Sequence, residues 1–155
     1  RLPYIEKPRS IPCAAFALGL SCALPCVLLA ISQWTALPFL SAELGLRAAA
    51  AFGAVTLSFA GGIRWGLAMK HEPDARHSSE LIAGVLAALA GWSALLLSPP
   101  LGLILLLAGL LLQALWDILS VEQGRLPQWF GDLRMLLTMG VVLPLFSMLG
   151  KLVIS

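Results

Sequence analysis

Between Arg9 and Glu43 the chain carries no charged residue at all. Such a run is long enough to cross a bilayer as a helix, which takes about 20 apolar residues. In hydrocarbon the backbone must satisfy its own hydrogen bonds, so the run points to a helix rather than to irregular chain. Comparable runs recur to the C-terminus. The chain is 59% hydrophobic and 12% charged, where a soluble domain averages about 25% charged residues. Its mean hydropathy is +0.92.

Five spans are expected, at about residues 11–34, 46–69, 81–97, 101–116 and 133–150. The fold class is therefore an all-α membrane protein, a bundle of five transmembrane helices forming one polytopic domain over residues 1–155. Pro12 suits a helix start, and Pro25 is expected to kink or split the first span. Ser98-Pro99-Pro100 is a tight turn that makes spans three and four an antiparallel hairpin. Lys70 to Glu80 reads as a hydrophilic loop, and Asp117 to Asp132 as a second polar connection. The first residue is Arg1 rather than methionine, so a removed leader or a fragment is expected.

An odd number of spans puts the termini on opposite sides. One side collects Arg1, Lys7, Arg9, Lys70, Arg76, Arg125 and Arg134, and the other only Arg47 and Lys151. By the positive-inside bias the first side is cytoplasm in a bacterium or matrix in a mitochondrion. Span two then runs toward the positive side. Arg64 lies roughly 8 Å before its exit at Met69 at 1.5 Å per residue, within snorkelling reach of water. Asp117, Trp129, Asp132 and Arg134 fall at the same side.

Within span two, SFAGGIRWGLAM (Ser58–Met69) is the densest motif. Ala50, Ala54, Ser58, Gly62 and Gly66 recur every fourth residue, a small-residue ridge that lets another helix approach closely. Ala15, Gly19 and Ala23 form a similar ridge on span one, and the two ridges are expected to pack together or to pair between copies. Arg64 projects about 200° away from the span-two ridge, at 100° per residue. A charge in hydrocarbon needs a partner or a path to water. Asp117 is the favoured partner, Glu122 and Asp132 are competitors, and lipid phosphate is the alternative. LPQWFGDLRMLLT (Leu126–Thr138) is built as an interfacial helix start, with Trp129 and Phe130 at headgroup depth and Asp132 near the positive helix end.

Several function classes fall away. A net charge of +2 with no basic tract gives no nucleic-acid surface. Cys13, Cys22 and Cys26 lack the spacing of redox or zinc sites, and are expected to be buried, reduced thiols. His71 and His77 sit in the polar loop beside Glu72, Asp74 and Glu80, a mixed charge run expected to be solvated rather than to hold a metal. No nucleophile or acid–base constellation is visible, so no catalytic residue is assigned. No acid sits in the middle of a span, which argues against an ion-coupled carrier.

SFAGGIRWGLAM, preceded by Phe52-Gly53-Ala54, and LPQWFGDLRMLLT resemble the transmembrane protein 69 family, also known as domain of unknown function 3429. Lys7-Pro8 before the first span is similar to mitochondrial members. The resemblance implies a five-span inner-membrane protein, mitochondrial here, and implies no reaction. Gly61, Gly62, Arg64, Trp65, Gly66, Trp129 and Arg134 match its pattern.

The expected role is a non-catalytic structural or accessory subunit of an inner-membrane complex, a respiratory one among the candidates, with other membrane subunits as partners. The alternative is a lipid- or quinone-binding protein in which Arg64, Trp65, Trp129 and Arg134 hold a headgroup, for instance that of cardiolipin. A small transporter or channel ranks third. No cofactor is expected.

Overall fold

Five helices follow one another in the computed structural model: α1 (Cys13–Trp34), α2 (Ala42–Ala68), α3 (Ala75–Leu96), α4 (Pro99–Glu122) and α5 (Gln128–Ile154). The structure describes residues 11–70, 73, 75–124 and 126–155. Arg1, Arg9, Arg125, the Lys7-Pro8 pair and the loop residues His71, Glu72 and Asp74 lie outside them. All five helices are long and apolar enough to cross a membrane, and the protein is a multi-pass membrane protein.

The helices outrun the apolar spans because polar residues cap or prolong them. Ser41 starts α2: its hydroxyl accepts the Leu44 N–H at 3.2 Å, and Glu43 sits in the first turn, where an acid meets the positive end of the helix. Ser98 precedes α4, and Pro99 and Pro100 occupy its first positions, where no N–H is needed. Gly124, at φ +75°, ends α4 in the left-handed conformation that follows many helices. α3 begins at Ala75, so Glu80 lies on a helix and not in a loop. α1 runs unbroken through Pro25, and α5 through Pro144.

α2 touches each of the other four helices, and it packs most extensively on α3. Its buried stripe is Ala54, Leu57, Gly61, Arg64 and Ala68, an alternation of three and four residues that keeps one face toward a partner. α4 repeats it with Leu103, Leu106, Leu110, Gln113, Asp117 and Ser120, and α5 with Arg134, Thr138, Val141, Leu145 and Met148. The apolar members of these seams make the core with Cys26 and Ala30 of α1.

The small residues pack differently from the expected pairing of ridges. A side chain at Gly19 would meet Leu137 at 2.9 Å, and one at Gly140 would meet Ala23 at 3.0 Å, so the α1 ridge lies on α5. α2 instead approaches α3: a Cβ at Gly61 would stand 2.7 Å from the Gly84 carbonyl, and one at Gly91 2.9 Å from the Ala54 carbonyl. Gly62 and Gly66 meet nothing within the chain. The cause is geometric. Steps of four residues advance about 40° beyond a full turn, so a ridge beginning at Ala54 has swung about 120° by Gly66. Ala54 is buried, Ser58 is half-buried and Gly62 faces outward. Cys13 and Cys22 are exposed rather than buried, and Cys26 alone of the three is enclosed.

The adjacent glycines should therefore respond oppositely to the same change. Gly61→Ala forces a methyl against backbone and is expected to cost about 1–3 kcal/mol. Gly62→Ala relieves a helical glycine and should gain roughly 0.5–1 kcal/mol. Thermal unfolding in detergent compares the two, and equal shifts would contradict the α2–α3 packing.

Candidate functional site

At the end of the bundle where α2 and α4 finish and α5 begins, the three seams turn polar together. Arg64 is 2% exposed. Its Nε donates to Gln113 Oε1 at 2.8 Å and one Nη to Asp117 Oδ1 at 2.6 Å. The other Nη stands 3.8 Å from Glu80 Oε2, and the guanidinium lies 4.6 Å from the centre of the Trp116 ring. Arg134 brings its Nε to 2.8 Å from the second carboxylate oxygen of Asp117, an ion-pair contact off the line of a hydrogen bond. One carboxylate thus bridges guanidiniums from α2 and α5.

Burying a guanidinium is tolerable only when its charge and its N–H groups are answered inside. Here the answer comes from α3, α4 and the Trp116 ring. Arg64 therefore points inward and does not snorkel. The inference that Arg64 opposes the glycine ridge holds along the lower part of α2: the arginine is inside, while Gly62 is exposed, Gly66 is half-buried and neither meets a neighbouring helix. Glu122 and Asp132 are exposed at the surface, so neither carries the role assigned to Asp117.

Of the other residues singled out, Trp65 donates its indole N–H to the Leu81 carbonyl at 2.8 Å and lies against Gly84. It ties α2 to α3 and does not face Arg134. Trp129 stands edge-on to Phe130, with ring centres 6.2 Å apart. Gln113, Glu80 and Trp116 are the residues that sequence reasoning missed. Gln113 was findable, since it precedes Asp117 by one helical turn on the same seam. Glu80 was hidden by being assigned to a loop. At the opposite end, Trp34 donates to Ser147 Oγ at 2.9 Å and lies under the Lys151 ammonium at 4.8 Å.

The cluster is suited to holding helices together. Two guanidiniums face two carboxylates among the described residues, with Arg64, Asp117 and Arg134 all buried. Also among the described residues, no three His, Cys, Asp or Glu side chains gather as metal ligands.

Fold and site together define a class: a polytopic helical membrane protein whose bundle is fastened at one end by a buried ion-pair cluster. Residues 11–150 match the family described as "Protein of unknown function (DUF3429)", and the chain belongs to that family. It is 32% identical over 133 residues to Transmembrane protein 69 of Xenopus tropicalis, an alignment covering 77% of this chain and 51% of the relative. The chain spans about half the length of the curated relative it matches. No solved structure matches it.

Removing one member of the pair leaves the other charge buried, so Arg64→Gln and Asp117→Asn are each expected to cost about 3–5 kcal/mol. The double variant should lose clearly less than the sum. Additive losses in denaturant titration of the detergent-solubilised protein would show that the two side chains act independently.

Proposed function

We propose that this protein is a non-catalytic structural or accessory subunit of a larger inner-membrane assembly. The observation that supports this most is the outer stripe of α2. A helical glycine costs about 1 kcal/mol relative to alanine. Gly53 and Gly61 offset that cost through close contacts with neighbouring helices, whereas a methyl group at Gly62 or Gly66 would meet nothing within 4 Å. Together these two leave about 2 kcal/mol without an internal return. With Ser58, whose hydroxyl is already satisfied by the Ala54 carbonyl at 2.9 Å, they offer a shallow face on which another transmembrane helix can lie closely.

A mitochondrial setting, with the N-terminus in the matrix, is the reading favoured by the family resemblance and by the cation asymmetry of the sequence. A respiratory complex is one assembly of that membrane that would use such a subunit. Membrane lipids and neighbouring subunits are the partners this role requires.

Native gel electrophoresis from mild detergent tests the proposal. The wild type should migrate with a large species. Gly62→Leu combined with Gly66→Leu should release it to a small one while its own thermal midpoint stays within a few degrees. Wild-type protein found only as a small free species would overturn the role.

A further inference from the structure

α1 and α2 meet where Ser32 and Gln33 crowd Gly45 and the Gln33 amide donates to the Ala42 carbonyl at 2.8 Å. Further along, toward the ion-pair cluster, they part around a cavity of about 400 Å³ closed by α5. This is a volume in which small ligands bind. Its wall is apolar apart from a few groups. Phe52, Phe59 and Phe130, half of the six phenylalanines of the chain, line it.

Two of its polar groups set it apart. Arg134 is 7% exposed and Thr138 4% exposed, and both line the cavity. Arg134 Nη2 and Thr138 Oγ1 are buried without a hydrogen-bond partner. Leaving such groups unpaired is destabilising, and a ligand oxygen would remove that penalty. They stand one turn apart on α5, about 6 Å along the axis, just behind the wall, so that rotation of the two side chains brings both to one ligand. The other hydroxyl in the wall, on Thr56, is satisfied by the Phe52 carbonyl at 2.8 Å.

Charge selects among acceptors. Among the described residues, Arg64 and Arg134 are balanced by Asp117 and Glu80, so a further buried anion would enter there without a counter-charge. A neutral carbonyl oxygen takes the free N–H and O–H and adds no charge. Around it, three aromatic rings offer faces and edges to a flat ring. A larger recess of about 710 Å³ between α3 and α4 has no such unpartnered atom among its described wall residues, and its Glu80 and Gln113 are turned to Arg64.

We infer that this cavity binds the head of a membrane quinone, a neutral carbonyl-bearing ring with an apolar tail, whose carbonyl oxygen accepts from Arg134 and Thr138. The site lies within a single copy and is independent of the assembly role. Binding alone is assigned, with no electron transfer.

The test uses the full chain in phosphatidylcholine nanodiscs, with decylubiquinone as probe. Tryptophan quenching and thermal midpoint are read together. The expected result is saturable binding that raises the midpoint. Thr138→Val should raise the half-saturating concentration about tenfold without lowering the midpoint of the unliganded protein, since it deletes an unpaired hydroxyl. Ala15→Phe, which fills the cavity from α1, should abolish binding. Absence of saturable binding overturns the inference, as does binding that Thr138→Val leaves unchanged. A phospholipid that native mass spectrometry finds retained, that the quinone does not displace and that Thr138→Val releases would overturn it in favour of a phospholipid site.

Discussion

The carboxylate of Asp117 is the point on which this bundle closes. Its two oxygens are divided between Arg64 and Arg134, so α2, α4 and α5 are fixed relative to one another at a single residue. In a lipid setting apolar helices gain little from leaving one apolar solvent for another, and specificity must come from close packing and polar pairing. Here both are present and kept apart. Polar pairing fastens one end of the bundle. Glycine-mediated backbone approach, at Gly61 against Gly84 and Gly91 against Ala54, joins α2 to α3 along their length.

The structure gives the arginine and the glycines of Ser58–Met69 separate duties. The arginine works inward, and the paired glycines divide between the two sides: Gly61 is needed for packing inside, and Gly62 faces out. A motif that looks like one site is thus a core anchor and an external surface carried on one turn of helix. The same economy appears on α5, where Arg134 meets Asp117 with one nitrogen and keeps another buried and unpartnered in the wall of the neighbouring cavity.

The five helices and the Arg64–Asp117 pairing were legible because length, hydropathy and opposite charge at one side are strong signals. The packing partners were not. A spacing of four residues suggested a straight ridge from Ala54 to Gly66, but a helix carries such a ridge around its axis. The alternation of three and four that joins Ala54, Leu57, Gly61, Arg64 and Ala68 was equally present in the sequence. It was obscured because one of its positions is an arginine, which hydrophobic patterning assigns to the outside. Gln113, Asp117, Arg134 and Thr138 break the pattern in the same way on their own helices. The α1–α2 cavity leaves no periodic trace at all, because it depends on how far two helices diverge.

The separation of the two partners along the chain also bears on how the protein enters its membrane. Arg64 precedes Asp117 by 53 residues. In N-to-C synthesis α2 emerges while Asp117 does not yet exist, and an arginine at the very centre of an isolated span costs about 2.5–3.5 kcal/mol to insert. Arg64 sits near the end of α2 rather than at its centre, so α2 carries only part of that cost until α4 arrives. The counter-charge that steadies α2 in the membrane is thus delivered by a helix made two spans later.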